Sequence, residues 1–133
     1  MNPFYPAVSK RAKHRCEYCR APESIFNFPF EVEHIIPTSL GGKNLETNIA
    51  LACRSCNQFK GVYIEYPDPG TDLRIRLFNP RQDEWQTHFV FDLVTTEIVG
   101  RTAIGRATIA CLKMNNGLQL KARKKWGRLG LFP

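Results

Sequence analysis

A chain of 133 residues with 43% apolar and 23% charged residues has the length of one domain and the composition of a globular protein, which excludes a wholly disordered or fibrous chain. Its 19 Lys and Arg against 12 Asp and Glu give a net charge of +7, which favours an acidic polymer as partner. Almost all of that excess lies in residues 113–133, where Lys113, Lys121, Arg123, Lys124, Lys125 and Arg128 stand with no acidic side chain and read as a basic arm or face.

In chain order, a basic cluster of Lys10, Arg11, Lys13, His14 and Arg15 leads into Cys16-x-x-Cys19. The β-branched and apolar content of residues 31–36 predicts a short strand that Pro37 stops. Residues 40–44, with Gly41 and Gly42, form a turn-rich loop, and residues 48–52 suit a second strand. A helix is expected from Cys53 to Lys60, stopped at Gly61. Residues 64–81, with three prolines and Gly70, read as a crossing loop holding one strand at 73–78. Strands follow at 87–93 and 97–100, then an amphipathic helix at 102–113 despite Gly105. The order is mixed α+β, without repeats or βαβ regularity.

No apolar run approaches the ~18 residues of a membrane span. Residues 1–6 lack the charged-then-apolar order of a secretory signal, so a cytoplasmic protein without a membrane partner is expected. In that setting Cys16, Cys19, Cys53 and Cys56 read as metal ligands in preference to disulfides. Each Cys-x-x-Cys pair can hold two corners of a tetrahedral ion, and two pairs close a four-sulfur shell without an open position. The zinc expected there is structural. The shell encloses the 33 residues between the pairs, more than a simple zinc ribbon holds, so a folded element must lie inside.

That enclosed segment carries Glu33-His34-Ile35-Ile36-Pro37, then Gly41-Gly42, then Asn48, while Asn57 follows Cys56 and Lys60-Gly61 follows in turn. Over residues 14–61 the chain resembles an HNH endonuclease of the zinc-stapled kind. The resemblance implies a ββα-metal (His-Me finger) core with structural zinc, a small strand and helix extension over 62–133, and metal-dependent hydrolysis of DNA, with duplex DNA as partner. It implies that His34 is the general base and that Asn48 holds the loop orienting it. Glu33 and Asn57 would be ligands of a catalytic Mg²⁺ or Mn²⁺. Glu33 stands where the family often has Asp, one methylene longer with the same oxygen donors. The chemistry agrees: a neutral imidazole is available near pH 7, and carboxylate and amide oxygens are hard donors suited to Mg²⁺.

Nucleic-acid contacts are expected from Lys60, Lys121, Arg123, Lys124, Lys125 and Arg128. Asn57 also suits a helix cap, and Trp126 either stacks on bases or packs on the domain. His14 suits phosphate contact or bare exposure, His88 a structural role on a strand, and Cys111 a small core position. The competing reading is a catalytically silent zinc-ribbon module that holds nucleic acid; a protein-interaction zinc domain suits the basic arm less well.

Overall fold

The computed structural model describes residues 1–133. Strands β1 (Glu31–His34) and β2 (Ile49–Ala52) pair antiparallel, with Glu31 opposite Ala52 and His34 opposite Ile49. Strand β2 is buried along its whole length, whereas β1 is half-buried apart from Glu33, which is fully inside. Strand β1 stops at His34, two residues short of the expected Ile36, and a 3-10 turn at Thr38–Leu40 opens the connecting loop. That loop turns at Gly41, φ +87°, and at Gly42 it passes so near its own start that a Cβ would lie 1.7 Å from the Ile36 carbonyl oxygen.

The hairpin is preceded by helix α1 (Tyr5–Arg11) and followed by α2 (Arg54–Lys60). Helix α1, which the sequence reading leaves as a basic cluster, starts on Pro6 and carries Lys10 and Arg11 in its last turn, where cations suit the helix dipole. Its Arg11 donates to the carbonyls of Glu46 (3.0 Å) and Ile49 (2.8 Å), fastening α1 to the hairpin. Helix α2 ends where expected, at Lys60 before Gly61.

Residues 64–81 contain two strands where one is expected. Strand β3 (Glu65–Pro67) pairs with β4 (Arg74–Arg76) in a small ribbon. The expected strand at 87–93 begins instead as a one-turn helix, α3 (Trp85–His88), and becomes β5 (Phe89–Phe91), paired with β6 (Ile98–Gly100). Helix α4 (Ala103–Leu112) tolerates Gly105 for a packing reason: a Cβ there would meet the His88 carbonyl oxygen at 2.0 Å. The basic arm is a helix, α5 (Gly117–Arg128), started by the Asn116 side chain, which accepts from Gln119 N–H at 3.1 Å.

One apolar core runs through both halves. It joins Val8, Tyr18, Ile49 and Leu51 to Phe78, Phe89, Ile98, Leu112, Met114 and Trp126. The fold is thus mixed α+β with three two-stranded antiparallel sheets. No helix is long and apolar enough to cross a membrane.

Candidate functional site

The four paired cysteines are fully buried and their sulfurs lie within 4.8 Å of one another, with Cys19 Sγ and Cys53 Sγ 3.7 Å apart. A tetrahedral zinc with Zn–S near 2.3 Å separates its sulfurs by about 3.8 Å, so this donor set fits the ion. Two turns present the sulfurs. Cys16 Sγ accepts from Cys19 N–H at 3.5 Å, and Cys53 Sγ, at the N-cap of α2, accepts from Cys56 N–H at 3.4 Å. Hydrogen bonds from the Cys16, Cys53 and Cys56 thiols hold Cys19 well below the usual thiol range, while its neighbours push Cys56 well above it. Four sulfurs sharing one centre cannot all ionise unless a cation joins them.

The extension grips this centre. Trp85 Nε1 donates to the Tyr18 carbonyl at 2.7 Å, Arg20 lies 5.2 Å from the Trp85 ring, and Arg81 pairs with Glu17. On the far side, Gln119 Nε2 of α5 approaches Cys19 Sγ at 3.9 Å.

His34 is half-buried at the end of β1, its Nε2 3.2 Å from Asn44 Oδ1. Asn48 closes the loop around it: its Oδ1 accepts from Ile36 N–H (2.9 Å), and its Nδ2 donates to Ile36 O (3.0 Å) and Lys43 O (2.9 Å). Strand alternation sends Glu31 and Glu33 toward α2, away from His34.

Glu33 and Asn57 engage different partners. Glu33 is 5% exposed, accepts from the Tyr18 hydroxyl, and pairs with Lys60 Nζ at 3.2 Å. Burial pushes the Glu33 carboxyl up, against the pull of Lys60 and Tyr18. Removing either partner from such a pair costs about 3–5 kcal/mol, because it strands the other charge in the interior. Asn57 instead donates to Glu31, in a depression of about 200 Å³ that these two share with Arg54 and Gln58. Glu31 is partly exposed and its other neighbour, Arg54, is a solvated partner at 3.6 Å. The arrangement offers a divalent cation Glu31 and Asn57 at the surface; Glu33 does not fit it while paired inside.

Two expected nucleic-acid contacts are corrected. Lys60 is 1% exposed, and besides Glu33 it donates to the carbonyls of Ile35 (2.9 Å) and His34 (3.4 Å). Arg123 is also 1% exposed, donating to Thr96 O (3.0 Å), Asn115 Oδ1 (3.1 Å) and Met114 O. Neither is placed to meet a phosphate, because each charged group is buried and held by partners inside. Lys121, Lys124, Lys125 and Arg128 are exposed. Trp126 packs against Phe26 and Phe132.

The other candidates have settled partners. His14 pairs with Glu23 at 2.8 Å, and buried His88 bonds Thr102 Oγ1 at 2.7 Å, at the end of a helix and not on a strand. Cys111 is buried and its thiol is pushed up to about 11 by desolvation. Tyr18, Glu31 and Asn44 were missed. For Glu31 the signal was present: two residues before Glu33, it must share that residue's strand face.

Comparison with known families matches residues 16–67 to the HNH endonuclease family. Comparisons with curated proteins and with solved structures give no match. The matched segment runs from the first paired cysteine to the end of β3 and contains the four-cysteine centre, the hairpin and α2. Residues 16–67, the segment that holds the zinc-fitting cysteine cluster, are thus of the HNH endonuclease family.

Proposed function

We propose that the chain is a ββα-metal (His-Me finger) endonuclease, one functional unit over residues 1–133, that hydrolyses DNA phosphodiester bonds with His34 as general base. The observation carrying this reading is His34 itself. It is the one histidine in the matched segment, it is half-exposed, and it has no carboxylate partner. With Nε2–H donated to Asn44 Oδ1, Nδ1 keeps its lone pair and can take a proton from water. Asn48 fixes the loop by three hydrogen bonds, so the imidazole needs little reordering before reaction.

Zinc on the four thiolates is structural, having no open position. Glu31 and Asn57 are the donors that would hold Mg²⁺ or Mn²⁺, ions that keep several waters and need only one or two protein oxygens. Such an ion supplies positive charge to the phosphate as negative charge develops on it.

The silent zinc-stapled binding module is favoured by one feature, the engagement of Glu33 with Lys60 and Tyr18. Supercoiled plasmid incubated with zinc-loaded protein and Mg²⁺ or Mn²⁺ separates the two. Nicked circles that disappear with His34→Ala support the nuclease. Plasmid that is bound yet stays supercoiled in both cations selects the silent module.

A further inference from the structure

Outside the matched segment, α5 divides its residues between two opposite faces. Gln119, Arg123 and Trp126 are buried, the first against the zinc centre and the last in the core. Lys121, Lys124, Lys125 and Arg128 recur at intervals of three and four and so fall within an arc of about 100° on the outer side. All four are exposed and none forms an ion pair.

That contrasts with the rest of the molecule. Arg54, Lys60, Arg74, Arg76, Arg81 and Arg106 each face a carboxylate within 4.0 Å. Exposed cations without a carboxylate also occur elsewhere, at Lys10, Lys13, Lys43, Arg101 and Lys113, but α5 gathers four of them on one face of one helix. The helix is also rigidly seated, by its Asn116 cap, by the three carbonyl and amide oxygens that Arg123 binds, and by Trp126. A groove lined by Arg54, Ser55, Phe59 and Leu118 joins it to α2, the helix that carries Asn57.

We propose that this outer face of α5 is the docking surface for the phosphate backbone of duplex DNA, oriented by the helix's contact with the zinc centre. The proposal rests on the nuclease reading and names where its substrate is held. The stripe from Lys121 to Arg128 rises about 10 Å, the axial length of about three phosphates of one strand. The chemistry of the face favours this occupant. A single strand is gripped by exposed aromatic rings, and the helix's Trp126 is buried in the core. A helix lying on a membrane inserts a broad apolar face, whereas the exposed side of α5 carries one large apolar residue, Leu118, beside its four cations.

The test is fluorescence anisotropy with a 20-base-pair duplex and zinc-loaded protein, without Mg²⁺, across a salt series. Lys124→Glu/Lys125→Glu should weaken binding and flatten the slope of log K against log salt by about 1.8, the share of two phosphates. Lys10→Glu/Arg101→Glu, which removes the same charge from outside α5, should keep the wild-type slope. Circular dichroism and zinc content check that each variant is folded. Equal losses in both variants, or an unchanged slope in the α5 variant, would overturn the proposal. So would α5-dependent binding of anionic vesicles by a protein that does not bind the duplex. Because binding is read without cleavage, a protein that binds through α5 but leaves plasmid uncut refutes the nuclease and leaves the surface standing.

Discussion

Residues 16–67 and residues 68–133 are ordered by different chemistry. The first segment has short strands, three 3-10 turns, one short α-helix, and four sulfurs gathered at one centre that fits a metal. The second has no comparable cluster and relies on side chains that satisfy buried backbone. Asp68 receives two hydrogen bonds from Arg106, each 2.9 Å, and Thr108 Oγ1 donates to Ile104 O while accepting from Phe78 N–H. Asn115 exchanges two bonds of 2.8 Å with Ile98. The lesson is that the segment carrying the candidate chemistry is organised around its sulfur centre, and the extension completes it by closing the core and gripping the cysteine turns.

Metal removal is the sharpest way to break that comparison. Structural zinc in small domains contributes apparent free energies of about 10–16 kcal/mol near neutral pH. Cys16→Ser or Cys53→Ser should therefore lose zinc and the fold of the first segment, read by metal analysis and by hydrogen exchange in β1 and β2. Native-like protection of β2 in a zinc-free protein would show that the extension suffices. His34→Ala tests the opposite property, function without folding. It should cut cleavage by about 10²–10⁴-fold, the usual worth of a general base, with an unchanged melting temperature and zinc content. Wild-type cleavage by this variant would mean that another group activates the water.

The two segments were also unequally legible. Cys-x-x-Cys spacing and the Glu33-His34 to Asn57 pattern located the hairpin, α2 and the sulfur centre, because metal spacing constrains sequence directly. What the pattern could not carry was which way each side chain turns. A strand alternates, so Glu33, next to His34, had to leave His34's face, and only tertiary packing supplied Lys60 and Tyr18 to receive it. In the extension, α5 read as an arm because its exposed face is largely cationic and its buried face includes Gln119 and Arg123, polar residues whose partners lie far along the chain. Helix α3 was hidden likewise, since Thr87 and His88 read as the start of the strand until the Thr102 hydroxyl claims His88.

Lys60 sharpens the boundary between folding and chemistry within the first segment. Its ammonium ties Glu33 to the carbonyls of His34 and Ile35, so one buried group links α2 to the backbone of the candidate base. Lys60→Met should destabilise the protein by about 3–5 kcal/mol, because Glu33 is left charged and unpaired in the interior. The double variant Lys60→Met/Glu33→Gln should recover much of that loss in urea unfolding. If the double variant is no more stable than Lys60→Met alone, the ion pair is not what Lys60 supplies.

The smallest effect belongs to the extension and separates the two segments by pH. Arg106 holds the Asp68 carboxyl well below the usual carboxylate range, helped by the Gly70 N–H at 2.9 Å and the Thr71 hydroxyl at 2.9 Å. A carboxyl whose pKa is depressed by folding binds fewer protons in the native than in the unfolded state. Its contribution is therefore complete above the unfolded value of about 3.9 and is lost as pH falls toward the folded one. Asp68→Asn should lower the melting temperature most at pH 6–7, and the gap from wild type should narrow as pH drops below about 4. The loss should appear first in the β3–β4 ribbon and α4, which Asp68 and Arg106 join, and least in the hairpin beside the sulfur centre. A gap that stays constant from pH 7 to 2 would show that the Asp68 carboxyl contributes through its shape and neutral hydrogen bonds instead of its charge.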